Sequence, residues 1–200
     1  MITLYGVPTS RAFRCLWMLK ELGLEFEHVP TNFTGDNKQP DYLALNPNGR
    51  IPTLVDGDTV LWESMAINLY LAAKYDGGLQ PKSVEDLGRA TQWSFWVMTE
   101  TEKSVIECLF HSVMLPEDQR DTAVRAAAEK ELEAPLAVLD GALEGRDQLV
   151  GDRFSVADLN VASVLSWALP ARLDLSAFPD VTRWLKACTS RPAAQAAMKK

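Results

Sequence analysis

The pattern of hydrophobic and polar positions divides the chain into an N-terminal part that alternates strands with helices and a C-terminal part that is helical. In the N-terminal part, short runs of β-branched and aromatic residues bounded by turn residues predict strands at residues 2–5, 26–31, 53–55 and 59–62. Helical periodicity predicts helices at residues 11–22 and 65–75, with Ser10 as the N-cap of the first and Gly23 just after its end. The predicted order is βαβ followed by ββα. This order gives a mixed four-stranded sheet, because a strand-helix-strand unit pairs its strands in parallel.

The pattern changes after the turn-forming run from Asp76 to Pro81, beyond which no convincing strand is found. Helices are predicted at residues 84–113, 117–144, 156–169 and 177–190, and Pro135 is expected to kink or interrupt the second of them. The break predicts two domains, an α/β domain at residues 1–76 and an all-α helical bundle at residues 84–200.

Composition narrows the class of protein but not its chemistry. Hydrophobic residues make up 47% of the chain, yet no apolar run approaches the roughly 18 residues of a membrane span. The net charge of -7 disfavours nucleic acid as a partner. The three cysteines are widely spaced, which is typical of a protein in a reducing compartment and argues against a disulfide framework or a zinc site. We therefore expect a cytoplasmic globular protein that holds no metal and binds neither membrane nor nucleic acid.

Three segments carry a resemblance to a known family. The first runs from Leu4 to Arg14 (LYGVPTSRAFR), the second is NPNGRIPTL at residues 46–54 followed by WESMAI at 62–67, and the third is SVAD at 155–158. In this order and at these spacings the chain resembles the cytosolic glutathione S-transferases, in particular bacterial serine-type members of the theta or nu kind. The resemblance implies a thioredoxin-like N-terminal domain that binds glutathione as co-substrate and an all-α C-terminal domain that carries the electrophile-binding side.

The resemblance also implies which residues hold glutathione. The N-terminus of the helix that starts at Ser64 would receive the γ-glutamyl carboxylate, and Glu63 would balance the ammonium. Pro52 corresponds to a cis-proline, so that the backbone of Ile51 would pair with the cysteinyl part of glutathione. Arg50 would bind the glycyl carboxylate, with an ordinary solvated arginine beside a turn as the equal alternative. Ser64 can serve as a helix cap at the same time.

Ser10 is the predicted catalytic residue. A free thiol has a pKa of about 8.5, and lowering it by about two units takes roughly 2.7 kcal/mol. A hydroxyl donor to an anion supplies about 1.5–3 kcal/mol and a helix N-terminus about 0.3–1 more, which together suffice without a general base. Thr9 is the competing hydroxyl, and Arg11 or its backbone N–H is the third candidate. Cys15, one to two turns into the helix, is interpreted as a core residue.

The second substrate and the assembly are predicted in outline only. Trp96, Phe110 and Trp167 are candidates for an electrophile pocket, although aromatic residues on helices are more often part of the core. The family implies a homodimer that conjugates glutathione to a small hydrophobic electrophile or reduces peroxides with it. The alternative is a non-catalytic glutathione transferase-like binding or scaffold module. Ser155 and Asp158 are interpreted as a structural capping box.

Overall fold

A computed structural model describes residues 1–75 and 77–199, and they form two compact units. Unit 1 comprises Met1–Gln80 together with Arg191–Lys200, and unit 2 comprises Pro81–Ser190. Asp76, at the end of the first predicted domain, and Lys200, at the end of the second, lie outside the described residues.

Unit 1 is built on a mixed four-stranded sheet, which confirms the predicted α/β fold class. Its strands are β1 (Ile2–Tyr5), β2 (Glu27–Val29), β3 (Thr53–Asp56) and β4 (Thr59–Trp62), in the spatial order β2-β1-β3-β4. β1 and β2 are parallel, as the intervening helix requires, whereas β3 is antiparallel to both of its neighbours. β1 and β4 have the predicted bounds, and β2 is shorter than predicted.

The helices of unit 1 are α1 (Ala12–Glu21), α2 (Pro40–Leu45) and α3 (Ser64–Lys74), and a 3₁₀ turn (Asp36–Lys38) precedes α2. Every residue of α1 from Ala12 to Leu19 is buried, as expected for a helix that is apolar on most sides. Arg14 is among these buried residues, although it is charged. The 3₁₀ turn and α2 lie in a stretch for which the hydrophobic pattern predicts a polar loop and no helix.

The described residues of unit 2 form helices and loops with no strand, which confirms the predicted all-α class. The long helix predicted from residue 84 is divided into α4 (Val84–Trp96) and α5 (Glu102–Leu109) by a π-helical segment (Val97–Thr101), and a second π-helical segment follows (Phe110–Met114). The remaining helices are α6 (Thr122–Ala142), α7 (Val156–Leu165), α8 (Ala168–Ala171) and α9 (Pro179–Thr189). The α6 helix continues through Pro135, so the predicted interruption is wrong.

The predicted capping box is present at the start of α7, a helix that is buried along its whole length. Asp158 Oδ2 accepts from the backbone N–H of Ser155 at 3.0 Å, and its Oδ1 accepts from Leu149 N at 2.8 Å and from Trp184 Nε1 at 3.0 Å. Burial raises the pKa of this carboxyl, and these donors oppose the rise. Asp158 therefore ties α7 to α9 and to the loop before α7 through one buried side chain.

The last helix, α10 (Pro192–Met198), packs against α1 and belongs to unit 1. Arg191, just before it, donates from Nε to Glu21 Oε1 at 3.0 Å, while Trp17 Nε1 donates to Glu21 Oε2 at 3.0 Å. The sequence pattern predicts Arg191 and the residues of α10 in the all-α domain. Contacts with α1 place them in the first unit instead, a grouping that helical periodicity cannot reveal.

One carboxylate fastens the β3–β4 hairpin to the end of α3. Asp56 Oδ2 accepts from Lys74 Nζ at 2.8 Å, from Tyr75 Oη at 2.8 Å and from Tyr70 Oη at 3.0 Å. Burial alone would raise the pKa of Asp56, but the hydrogen bonds from Lys74, Tyr75 and Tyr70 hold it below its usual value.

Candidate functional site

Three loops meet at one end of the sheet because of the strand register. Tyr5, the last residue of β1, pairs with Thr53, the first of β3, and Thr53 also pairs with Trp62, the last of β4. The loop after β1, the segment before β3 and the start of α3 therefore emerge at the same edge. These segments carry the predicted catalytic and glutathione-binding residues.

Gly6 allows the first two of these segments to approach closely. Its φ is +140°, and a Cβ atom there would lie 2.5 Å from the Ala12 Cβ and 3.5 Å from the Ile51 Cβ. A side chain at residue 6 would collide with the start of α1. The glycine thus places the beginning of α1 against the segment that precedes β3.

Ser10 lies just before α1 with its hydroxyl fully engaged. Its Oγ donates to the Val7 carbonyl at 2.7 Å and accepts from the Ala12 N–H at 3.1 Å. The helix begins at Ala12, so Arg11, not Ser10, is its N-cap residue, and Arg11 makes no side-chain capping bond. Ser10 nevertheless satisfies one of the first helical N–H groups, which is the role of a helix-capping side chain.

Thr9 and Arg11, the alternatives to Ser10, are both exposed beside it. Within residues 1–75 and 77–199, the Thr9 hydroxyl makes no hydrogen bond. The two hydroxyls therefore differ in availability: the Ser10 proton is held by a carbonyl, whereas the Thr9 proton is not.

The turn before β3 is held by buried polar groups. The Arg50 carbonyl accepts from Tyr42 Oη at 2.6 Å and from Asn46 Nδ2 at 2.8 Å, while the Arg50 side chain is exposed. Gly49 has a φ of +55°, and a Cβ atom there would lie 2.7 Å from Lys38 Nζ. Lys38 donates to the Gly49 carbonyl at 2.8 Å, which brings a second cation to this turn. The sequence pattern does not single out Lys38, because this residue lies in a predicted polar loop.

The segment Ile51–Pro52 is joined by a cis peptide bond, as the resemblance predicted. Both residues are buried, and β3 begins immediately after them.

α3 begins at an unusual backbone conformation. Glu63 has φ 72° and ψ 110°, a region that a non-glycine residue adopts only under constraint, and it makes no side-chain capping bond. The Glu63 side chain is exposed, whereas Ser64 is only 4% exposed. The first N–H groups of α3 consequently have no side-chain cap, and this end of the helix can accept an anion.

Arg14 supports Ser64 from the interior. Its Nη1 donates to Ser64 Oγ at 3.2 Å, although the arginine is 0% exposed. On the same helix, Cys15 Sγ donates to the Ser64 carbonyl at 3.7 Å. Because Ser64 Oγ accepts from the guanidinium, its own proton is available to another acceptor. Arg14 was missed as a site residue, since a charged residue on an apolar helix carries no periodic signal of a role.

The remaining candidates lie elsewhere. Trp96 ends α4 and packs edge-on against Trp93, with ring centroids 4.9 Å apart. Phe110 is 43% exposed after α5, and Trp167 lies between α7 and α8. All three residues belong to unit 2. Within the described residues, no group of three histidine, cysteine or acidic side chains is arranged to hold a metal ion.

Comparison with known proteins agrees with this architecture. The glutathione S-transferase N-terminal domain family matches residues 1–73, and the C-terminal domain family matches residues 103–192. Glutathione S-transferase 3 of Zea mays is 38% identical over 97% of this chain and 91% of its own length. Glutathione S-transferase GstB of Escherichia coli K12 is 35% identical over 96% of this chain and 95% of its own.

Solved structures give the same result. The theta class glutathione S-transferase of Xanthomonas axonopodis pv. citri, determined with glutathione bound, superposes with a TM-score of 0.92 at 32% identity. That match covers 100% of this chain and 97% of the other. The chain belongs to the glutathione S-transferase family.

Proposed function

We propose that this glutathione transferase binds glutathione along the sheet end formed by Ile51, Pro52, Glu63 and Ser64, and that Ser10 stabilises its thiolate. Transferase activity follows from family membership over nearly the whole chain. The observation that carries the site is the register that brings the ends of β1 and β4 beside the start of β3. The scaffold alternative is not favoured, because the relatives reported above are transferases.

The proposed binding mode follows the charges of glutathione. Its γ-glutamyl carboxylate would lie at the uncapped N-terminus of α3 and accept from Ser64 Oγ, with the exposed Glu63 carboxylate near its ammonium. Arg50 would bind the glycyl carboxylate. The exposed Lys38 at the same turn is a second cation for that group. The Xanthomonas relative, whose structure contains glutathione, supports the ligand assignment.

The geometry of Ser10 sets how much thiol activation it can provide. To donate to a thiolate, the hydroxyl must leave the Val7 carbonyl, to which it donates at 2.7 Å. A neutral hydrogen bond contributes about 0.5–1.5 kcal/mol and one to a charged group about 1.5–3 kcal/mol. The exchange therefore yields at most about 2.5 kcal/mol, which lowers the thiol pKa by up to roughly 1.8 units. The α1 N-terminus supplies the remainder.

Titration of enzyme-bound glutathione tests this assignment. The ultraviolet absorbance of the thiolate is followed against pH for the wild type, Ser10→Ala and the matched variant Thr9→Val. Ser10→Ala should raise the bound thiol pKa by about one unit and lower turnover at neutral pH, with glutathione affinity within a few-fold. Thr9→Val should leave the thiol pKa unchanged. The opposite ranking would transfer the role to Thr9, and no change in either variant would favour Arg11 or a backbone N–H.

The assembly, electrophile and location complete the proposal. Val60 and Trp62 on the edge strand β4 are partly exposed, and exposed apolar side chains of this kind are often covered by a partner subunit. We expect a homodimer in the cytoplasm that transfers glutathione to a small hydrophobic electrophile or reduces peroxides. Trp96, Phe110 and Trp167 stay candidates for the electrophile pocket. Sedimentation equilibrium tests the dimer: a monomeric mass at micromolar concentration would contradict it.

Within the described residues, no helix is both long and apolar enough to cross a bilayer.

A further inference from the structure

A histidine of β2 holds the loop that carries the proposed catalytic hydroxyl. His28 Nε2 lies 2.8 Å from the Gly6 carbonyl oxygen, and since a carbonyl can only accept, the ring nitrogen donates. The neutral ring with its proton on Nε2 and the fully protonated ring both make this bond. Gly6 lies two residues beyond Leu4, which pairs with His28 in the parallel ladder. The contact therefore lies just past the point where β1 ends.

Gly6 is bound to β2 through both of its backbone polar groups. Its N–H donates to the Val29 carbonyl at 3.1 Å, and its carbonyl accepts from His28. The first bond joins two backbones and is independent of side-chain identity, whereas the second requires a side-chain donor. Gly6 is buried, so the loss of His28 would cost its carbonyl a bond that water does not readily replace. The orientation of the Gly6–Val7 peptide therefore depends on His28.

This peptide is connected to Ser10 through one more residue. The Val7 carbonyl accepts from Ser10 N at 3.0 Å and from Ser10 Oγ at 2.7 Å, so Val7 sets where the serine backbone and hydroxyl lie. On its other side, Gly6 packs closely against Ala12 at the start of α1. The Ala12 N–H in turn donates to Ser10 Oγ at 3.1 Å. A shift of the Gly6–Val7 peptide would therefore displace both hydrogen-bond partners of the serine hydroxyl.

We propose that His28 is a positioning residue for the thiol chemistry, whose bond to the Gly6 carbonyl holds the loop from Gly6 to Ser10 where it stabilises the glutathione thiolate. This inference rests on the proposed function, because it acts through the loop that carries Ser10. It assigns His28 no contact with glutathione and no proton to transfer. Loss of the bond should change the stability of the thiolate and leave Pro52 and Ser64, which bind other parts of the tripeptide, in place.

Titration of bound glutathione by its thiolate absorbance tests the proposal in three variants of residue 28. His28→Met removes the donor, His28→Asn is too short to reach the carbonyl, and the amide of His28→Gln can donate to it. His28→Met and His28→Asn should raise the pKa of the bound thiol by about 0.5–1 unit. His28→Gln should recover at least half of that change.

Turnover with a dinitrophenyl halide as electrophile gives a second readout. At a pH below the pKa of the bound thiol in every form, the thiolate fraction follows that pKa, and kcat of His28→Met should fall about three- to tenfold. At a pH above these values kcat should stay within twofold of the wild type. A purely structural role would not produce a loss of turnover that disappears at high pH.

Two controls separate positioning from a general loss of structure. S-methylglutathione has no thiol proton and should bind the wild type and all three variants within twofold. Glu27→Met is the matched variant on the same strand, since it removes the bond that Thr3 Oγ1 donates to Glu27 Oε2 at 3.3 Å. It also alters a contact between β2 and β1, but one outside the loop, and should leave the thiol pKa and kcat unchanged.

The proposal is overturned if neither His28→Met nor His28→Asn raises the thiol pKa, if His28→Gln is no better than His28→Met, or if Glu27→Met has an equal effect. Ser10→Ala distinguishes this failure from that of the proposed function. An effect of Ser10→Ala without one of His28→Met contradicts the positioning role alone. An effect of His28→Met without one of Ser10→Ala contradicts the assignment of Ser10 and supports a loop held by His28 that acts through another donor.

Discussion

Replacing the buried arginine beneath Ser64 should weaken glutathione binding without changing the chemical step. In Arg14→Met, the Nη1 donor 3.2 Å from Ser64 Oγ is lost, together with a positive charge that is 0% exposed. Methionine has a similar length and introduces no new polar group into the buried position. Ser64 keeps its place at the start of α3 but loses the donor that orients its hydroxyl.

The magnitude follows from distances. A carboxylate that accepts from Ser64 Oγ lies about 2.7 Å beyond it, and hence at most about 6 Å from Arg14 Nη1. Two unit charges at that separation attract by about 3 kcal/mol at an effective dielectric of about 20. Arg14 has further interactions in the protein that offset part of this field. We therefore expect a loss of about 1–2 kcal/mol, or roughly 5- to 30-fold in the glutathione Kd.

Isothermal titration and steady-state kinetics measure the effect of Arg14→Met. The Kd and KM for glutathione should rise together, while kcat at saturating glutathione stays within twofold because Ser10 is unaltered. Cysteinylglycine, which lacks the γ-glutamyl group, is the matched control ligand and should bind both forms equally. A folded variant with an unchanged glutathione Kd would refute the reasoning, as would an equal loss for cysteinylglycine.

Three further predictions concern buried polar groups. Asp158→Ala leaves the buried N–H donors of Leu149, Ser155 and Trp184 without their acceptor. It should lower the free energy of unfolding, measured in urea, by about 3–5 kcal/mol. The control Asp121→Ala, at the exposed N-cap of α6, should lower it far less. Since the pKa of Asp56 is held below its usual value, the stability it contributes is complete above about pH 4 and is lost as pH falls through its folded-state pKa. Asp56→Asn should therefore show a smaller drop in urea midpoint on acidification than the wild type. Burial raises the pKa of the Cys15 thiol, with the Arg14 charge opposing, so a disulfide reagent should modify it in urea but not in the native protein; rapid native labelling would contradict this.

The strands could be predicted because their signals are local. The Asp56-Gly57-Asp58 turn fixes where β3 ends and β4 begins, and the resulting hairpin pairs Asp56 with Thr59. β1 likewise ends before a glycine that its loop requires, Gly6. A strand of four residues is identified by alternation and by its boundaries, both of which lie within a few positions of the chain.

Other features depend on contacts that are distant in sequence. α2 has only six residues, too few for a helical period, and Tyr42 within it is held by hydrogen bonds to the Arg50 carbonyl and Thr53. The grouping of α10 with unit 1 follows from its packing against α1, which includes a contact between Arg191 and Glu21, 170 positions apart. The glutathione-binding residues named from the resemblance lie at one edge of the sheet. The role of Arg14 beneath them could be recognised only from the side chains that it contacts in the folded structure.

The stability of the hairpin and the geometry of the proposed glutathione site are physically linked through α3. The helix starts at Ser64 in the site and ends at Lys74, which binds Asp56 at the far end of β3. A slip of one residue in the β3–β4 register would move Thr53 about 3.3 Å relative to Trp62 and reverse the faces of the side chains. The Asp56 hydrogen bonds oppose that slip, because the same slip would separate the carboxylate from Lys74. A residue far from the proposed glutathione site thereby keeps Ser64 beside the segment that precedes β3, and Asp56→Asn should raise the glutathione KM before it lowers kcat.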